Sequence, residues 1–593
     1  MSYVVFPTPR TYIPGEGSRV RRDVPLAAST DKDLSAQEFV LRATGDNVTL
    51  HAGGPLGERY GRSVWQQILD QAGDDIEPFE ITDYPDFATR GVMLDISRSR
   101  VPTQDTLRRY LELLALARVN EFQLYTEHTF AFEGEEATWH DASPMTADDI
   151  RWLGELCSEN GIELVPNQNT FGHLERFLAT PKHAHRAEAP EGWYMGHEHV
   201  ESAVIAPNDD NAAFVNSLID QLLPLFPSRS INIGADETFE LGQGVSKDAV
   251  AEHGLGRVYL DFVLKIMRPL IEKGYTVQYW ADILAHYPEL LDEMPEGSLP
   301  VVWMYEGKTS LHAASTSTSA LNEATVEVGM ALEDQLEGFE AAAKELIARD
   351  TAFWVAPGTS TWRSLIGRIQ NARENMFDAA RVGLEHGSTG FLNTLWGDHG
   401  MIEPPTTGFE PLLLGGAISW NAATAGDTDT TSVLSRWFYD DDTENLAGAA
   451  HTLAGLWNTL GVPSLNSSPL FDILMPHLHT ISDLTSVTPE AITRVEQQID
   501  DCINQLARAT PRNADAAISI RELTHAASFA RFAANELRAN PGEAADRLRN
   551  LDDLITEQRA CWLLRSRPGG LERSLNNLEP LRTKLAEAAE QAR

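Results

Sequence analysis

Eight short apolar runs, at residues 92–96, 122–126, 162–166, 231–235, 277–281, 301–304, 353–356 and 390–396, constrain this chain more than any other feature. Each is too short for an ordinary helix and too uniformly apolar for a strand with one face in water, which is how a strand buried on both faces reads. Between most of them lie stretches with apolar residues at three-four spacing, at 103–118, 146–160, 211–225, 255–273, 332–348 and 369–386. Such alternation calls for parallel strands joined by helical crossovers, and eight units over roughly 310 residues fit a closed barrel better than an open sheet. The fold class expected is therefore α/β, a (β/α)8 TIM barrel over 87–428. The sixth crossover is its weakest part, with a Ser/Thr-rich loop expected at 309–319.

The flanks differ in rhythm. Residues 1–86 hold alternating runs at 3–6, 39–43 and 48–51 and one helical run at 61–71, which predicts a small α+β domain. From 429 to 593 the pattern is helical: Ile492, Val495, Ile499, Cys502, Ile503 and Leu506 share one face, as do Leu548, Leu551, Leu554 and Ile555. This region is expected to pack against the barrel or a second subunit, so pairing as a homodimer stays open.

A barrel of this kind carries its chemistry at the C-terminal ends of its strands. Reading just past each run gives Asp95 and Arg98; Glu127 and His128; Asn167, Asn169 and His173; Asp236 and Glu237; Trp280 and Asp282; Trp303, Tyr305 and Glu306; Trp362; and Trp396 and Asp398. Carboxylates, an arginine and several indoles around one mouth describe a sugar pocket, with rings stacking on apolar sugar faces and charged groups bonding hydroxyls. The adjacent acids Asp236 and Glu237 suit two jobs, one carboxyl delivering a proton and the other staying ionised beside a developing cation. The competing reading is an acidic first turn of the next helix, and the shared strand-end position of the other polar residues weighs against it.

Charge and cysteine content narrow the partners. A formal net charge of −40 would repel phosphates, which argues against nucleic acid and anionic membrane. Three scattered cysteines without metal spacing read as buried thiols in a reducing compartment. With no basic-then-apolar leader at the N-terminus and no long apolar window, a cytoplasmic, membrane-free protein is expected.

Four segments resemble glycoside hydrolase family 20, the β-N-acetylhexosaminidases: Arg90-Gly-Val-Met-Leu-Asp-Ile-Ser-Arg98, Pro166 to Phe171-Gly-His173, Gly234-Ala-Asp-Glu237, and Asn393-Thr-Leu-Trp-Gly-Asp398. The resemblance covers roughly residues 1–425. It implies an exo-acting, retaining enzyme without cofactor or metal, acting on terminal β-linked GlcNAc, GalNAc or both in a glycan. In this family the substrate's own 2-acetamido oxygen attacks C1 and forms an oxazolinium intermediate. By resemblance, Glu237 is the general acid and base, Asp236 holds the acetamido N–H, and Arg98 binds ring hydroxyls. His173 stands behind the acid, with Glu127 as its carboxylate partner. Trp280, Trp303 and Trp396 form the aromatic walls and Asp398 binds O4 or O6. The family's tyrosine after the seventh strand is not evident in Pro357-Gly-Thr-Ser-Thr-Trp362, and Tyr305 is the candidate replacement. Tyr125-Thr-Glu-His128 and Asn167-Gln-Asn169 also depart from the usual motifs, which leaves sugar preference open and marks a divergent branch.

Other readings remain beside this one. A GalNAc-selective enzyme or a transglycosylase of the same family differs only in loops or acceptor. A non-catalytic amino-sugar-binding barrel would have no use for the proton donor Glu237. A zinc hydrolase would draw on His183, His185, His197 and His199, but their i, i+2 spacing lacks a third-ligand motif.

Overall fold

The computed structural model describes residues 3–195, 198–316, 338–478 and 484–591. Eight parallel strands close into a barrel: β1 (Thr89–Asp95), β2 (Glu121–Thr126), β3 (Glu163–Gln168), β4 (Ser230–Asn232), β5 (Thr276–Trp280), β6 (Ser298–Trp303), β7 (Trp354–Ala356) and β8 (Gly390–Leu395). Neighbours follow chain order, and β8 pairs with β1 from Gly390 opposite Thr89 to Leu395 opposite Leu94. All eight apolar runs fall on these strands, so the (β/α)8 architecture holds. The strand at 231–235 is shorter than its apolar run because Gly234 and Ala235 leave extended geometry at φ +66° and +70°.

The outer helices start where capping chemistry places them. Thr103 accepts a hydrogen bond from the Thr106 N–H at the head of Gln104–Leu116, and Thr146 and Asp149 form a capping box on Ala147–Glu159. The sixth crossover corrects the sequence reading: Lys308–Thr316 is helical, not a Ser/Thr loop, and Phe339–Ala348 forms the end of the helix expected at 332–348. Residues 317–319 and 332–337 of those two expectations lie outside the described residues.

Inside the barrel the side chains form layers. At the lower end Gln123 donates to Glu121 (2.6 Å) and Gln278 (2.7 Å) and accepts from Asn167 (2.8 Å), a closed polar set among buried groups. Met93, Tyr125, Trp280, Val301, Leu392 and Trp396 belong to one apolar cluster inside the barrel, which Trp354 joins from the strand-start end beside Thr389.

The N-terminal region has a five-stranded sheet backed by helix Pro55–Gln71. The run at 3–6 is not a strand. Its backbone is met instead by helix side chains: Gln71 bonds both N–H and C=O of Val4, and Gln67 both groups of Phe6, at 2.7–2.9 Å. Two amides thus imitate a β-ladder and satisfy polar groups that would otherwise be left unpaired. Strands Thr11–Pro14, Leu26–Thr30 and Phe79–Asp83 complete the sheet.

C-terminal helices Pro489–Leu506, Ala516–Glu536 and Ala544–Arg565 carry the expected apolar faces. Their buried residues share one core with the barrel. The Arg565 carbonyl accepts from Thr103 N (2.9 Å) and Thr106 Oγ1 (2.7 Å), so the region is fastened beside the β1 end of the barrel mouth. Cys157, Cys502 and Cys561 are buried free thiols. Among the described residues no helix is long and apolar enough to cross a membrane.

Candidate active site

Past β4 the backbone turns left-handed at Gly234, Ala235 and Glu237 (φ +66°, +70° and +49°). Non-glycine residues hold such angles only where surrounding contacts over-determine them. Here Tyr259 Oη donates to the Ala235 carbonyl (2.7 Å), Asn169 Oδ1 accepts from Ala235 N (3.3 Å), and Asp282 Oδ2 accepts from Glu237 N (3.2 Å). A Cβ at Gly234 would lie 2.6 Å from the Asn169 side chain, and one at Gly172 would lie 2.6 Å from the Asp236 carbonyl, so both positions require glycine.

The turn presents its two acids at different depths. The Asp236 side chain is 9% exposed and that of Glu237 39%. His173 Nε2 sits 3.4 Å from a carboxylate oxygen of each. Burial disfavours an imidazolium at His173, but Asp236 and Glu237 more than offset it, and the ring's pKa is raised well above its ordinary value. Burial alone would raise Asp236, yet His173 and the Asn169 amide (Nδ2 to Oδ1, 2.9 Å) outweigh it and hold this carboxyl below its usual range. Asp282 behaves oppositely: burial, reinforced by the charge of Asp236, pushes its pKa well up. The site therefore pushes two carboxyls in opposite directions, Asp236 toward its ionised form and Asp282 toward its protonated one.

Above the pair is a cavity of about 220 Å3 lined by Arg98, Asp236, Glu237, Trp303, Tyr305 and Trp362, with Met304, Glu306, Trp396, Asp398 and Asn466 completing it. Arg98 lies across the rings of Tyr125 and Trp396, 4.9 Å from each centroid, and 3.1, 3.6 and 3.9 Å from Asp95, Glu127 and Asp398. Asp95 also accepts from the backbone of Ser97 (2.8 Å), Arg98 (3.1 Å) and Gly397 (3.0 Å), clasping β1 to the loop after β8. Trp303 stacks on Tyr305, Trp362 meets Tyr305 edge-on, and Trp396 Nε1 donates to Tyr305 Oη (2.8 Å). These indoles and the phenol give the cavity flat apolar walls, and the carboxylates and arginine give it a polar floor and rim.

A family model described as glycosyl hydrolase family 20, catalytic domain, matches residues 87–320. Curated relatives include Hexosaminidase D of Homo sapiens, 25% identical over 240 residues, covering 38% of this chain and 46% of that protein. Beta-hexosaminidase of Akkermansia muciniphila is 23% identical, covering 42% and 56%. These matches span about half the length of the relatives. The matched segment, 87–320, is a glycoside hydrolase family 20 catalytic domain. Its fold extends further than the sequence match: a chitobiase structure from Flavobacterium johnsoniae superposes with a TM-score of 0.57 over 98% of this chain and 99% of that one, at 13% identity.

Two placements in this site differ from the sequence reading. Glu127 is not hydrogen-bonded to His173. It accepts from Tyr125 Oη (3.0 Å) and faces Arg98, while His173 Nδ1 lies 3.4 Å from Arg98 Nη2. Burial pushes the Glu127 carboxyl up to about 8. Trp280 is not a wall: it is fully buried and tilted against Trp396 at 5.9 Å, beneath the lining. The remaining predicted residues, Arg98, Trp303, Tyr305, Trp362, Trp396 and Asp398, line one cavity with Asp236 and Glu237.

The zinc reading finds no geometry among the described residues. His183 is bonded to Glu135 (2.6 Å) and Arg186 (3.1 Å) between Phe177 and Phe214, and His199 Nε2 bonds the Glu191 carbonyl (3.0 Å). His197 lies outside the described residues. The groups of three that could converge on an ion are His173–Asp236–Glu237 and the exposed Glu340–Glu385–His386, and neither includes these histidines. Sequence reading missed Asn466, which reaches the cavity from the C-terminal region with no periodic or motif signal around it.

Proposed function

We infer that this protein is an exo-acting, retaining β-N-acetylhexosaminidase acting on terminal β-linked GlcNAc, GalNAc or both, with the substrate's acetamido group as the nucleophile. One observation carries the reading: two adjacent carboxylates at different depths, bridged by His173, at the floor of a small aromatic-walled cavity. The more exposed Glu237 stands where a leaving oxygen can collect a proton. Asp236, deeper and favoured as the anion, accepts a hydrogen bond from the acetamido N–H and turns the carbonyl oxygen toward C1. As the C1–O bond breaks and Glu237 gives its proton to the departing oxygen, the acetamido oxygen bonds C1. The resulting positive charge lies against Asp236. Water then attacks C1 from the face the aglycone left, breaking the bond to the acetamido oxygen while Glu237 takes the water's proton, so the acetamide is restored and the anomeric configuration is retained. Tyr305, whose oxygen already accepts from Trp396, keeps its own proton to donate to the acetamido oxygen. Asp95, Glu127 and Asp398 surround Arg98 and hold it extended for ring hydroxyls.

The test is release of p-nitrophenol from matched β-GlcNAc, β-GalNAc and β-glucoside substrates. The acetamido sugars are expected to be cleaved. The glucoside, which lacks the nucleophile, is expected to be essentially inert. Efficient glucoside hydrolysis, or a covalent sugar trapped on a carboxylate, overturns the mechanism, and no release from either amino sugar overturns the function.

A further inference from the structure

We propose that Asn466, carried by the helical C-terminal region, is a sugar-contacting specificity residue of the pocket, donating a hydrogen bond from Nδ2 to a hydroxyl of the terminal sugar. The inference deepens the hexosaminidase reading and rests on it. Asn466 lines the same cavity as Arg98 and Asp398, yet it is more than a hundred residues beyond Trp362 in the chain. Its Oδ1 accepts from Trp362 Nε1 (2.7 Å). That bond fixes which end of the amide is which: the oxygen faces the indole, and the two N–H groups of Nδ2 have no partner among the described residues. The side chain is exposed at the cavity rim, so those donors are available to a ligand.

The backbone around it is built to hold this one orientation. Asn466 sits at φ +50°, a left-handed conformation that asparagine and glycine tolerate better than other residues. Its N–H donates to Glu306 Oε1 (2.7 Å), and Glu306 is fixed by a two-pronged pair with Arg368 at 3.0 and 2.7 Å. On the far side Ser468 N bonds the Arg363 carbonyl (2.9 Å), Ser468 Oγ the Ser364 carbonyl (3.1 Å), and Ser464 Oγ the Ser467 carbonyl (2.9 Å). The segment is thereby joined to the loop after β7, which carries Trp362. Such a frame holds a polar group at the precision that recognition of a hydroxyl requires, with little ordering left to do on binding.

Two variants isolate the donor. Asn466→Gly keeps the left-handed backbone and removes the side chain. Asn466→Asp keeps the oxygen that serves Trp362 and removes the N–H groups. Three indoles line the cavity, so binding of free GlcNAc, GalNAc and the 4-deoxy and 6-deoxy forms of GlcNAc can be followed by tryptophan fluorescence, independently of turnover. Both variants should bind at least one parent sugar about three- to tenfold more weakly, the loss of one ordinary hydrogen bond. For one deoxy sugar, the one missing the hydroxyl that Asn466 contacts, they should bind no worse than wild type. Wild-type affinity for both parent sugars, or an equal loss across all four, overturns the proposal, because a merely structural residue would weaken every ligand alike. Wild-type hydrolysis of the p-nitrophenyl substrates is measured alongside. Turnover with unaffected variants sinks the Asn466 assignment alone, whereas absence of both turnover and binding in the wild type sinks the hexosaminidase reading and the assignment with it.

Discussion

Two clusters of buried charge, one past β4 and one between the barrel and the C-terminal helices, have similar composition and opposite design. In the second, Arg565 uses its whole guanidinium: Nη1 and Nη2 meet Asp515, Nη2 also donates to Ser519 (3.1 Å), and Nε faces Glu522 at 3.3 Å. Glu522 lies within a regular helix and is also bonded by Thr406. In the first, the backbone is left-handed at Ala235, Glu237 and His173, and the acids share a histidine instead of a fixed cation. Burial of charge therefore does not mark a site. Open bonding capacity on a strained turn facing a cavity does, because such groups are held ready for something that arrives from outside.

Substitutions can break this contrast from either side. The largest effect is expected from Glu237→Gln, which removes the proton donor: turnover of a disaccharide should fall by on the order of 10²–10⁴-fold, with thermal stability nearly unchanged. Near wild-type turnover would show that the donor is elsewhere. Arg565→Met should do the reverse, costing about 3–5 kcal/mol in denaturant unfolding by leaving the buried Glu522 without the guanidinium it faces, while Asp515 keeps Arg109 at 3.2 Å. The activity of the molecules that remain folded should be preserved, and a loss of activity exceeding the loss of folded protein would tie this cluster to the chemistry.

Asp236→Asn is expected to lower turnover by about 10²–10³-fold, the scale for losing one preorganised charge-stabilising group, while product sugar still binds. A thiazoline mimic of the cyclised intermediate should bind wild type far more tightly than the product does, and should lose that advantage in the variant. Equal affinity of wild type for mimic and product would contradict substrate assistance.

The smallest effect sharpens the contrast within the sealed cluster. Glu403 is 2% exposed, and burial pushes its pKa from 4.5 up to about 8. The folded protein thus keeps a proton that the unfolded chain gives up, so stability falls as pH rises from about 4.5 to about 8 and is level on either side. Glu121, raised to about 7, and Glu127, raised to about 8, slope the same way. Glu403→Gln should flatten part of that decline and raise the melting temperature most at the alkaline end, by an amount worth on the order of 1–3 kcal/mol. Parallel melting curves for variant and wild type across this range would place the wild-type proton elsewhere.

How much of this was readable in the sequence follows from range. The eight strands were legible because a strand buried on both faces must be apolar along its length, and a helix against a barrel must show three-four spacing. Asp236, Glu237, Arg98 and Asp398 were legible because the barrel sends every strand end to one mouth. What failed depended on contacts far apart in the chain. Glu127 could be placed near His173, but not assigned to Arg98, until the rings of Tyr125 and Trp396 were seen to hold that guanidinium. Trp280 has the composition of a wall and the depth of a core residue. The run at 3–6 has the alternation of a strand, and two glutamine side chains take the place of its neighbour. Asn466 lies among serines and prolines that read as an ordinary connection.

The clasp at Asp95 sets an order in time. Its carboxylate joins the loop after the first strand to Gly397, about three hundred positions later, and the arginine beside it is aimed by the same group. During synthesis the ring cannot shut until the eighth strand has left the ribosome, so between the emergence of the β4 turn and that of β8 the nascent chain carries both acids but no enclosure for them. The segment that the family model matches, 87–320, ends before β7 and β8. A polypeptide halted there would carry Arg98, Asp236 and Glu237 but lack Trp362, Trp396 and Asp398, which complete the cavity.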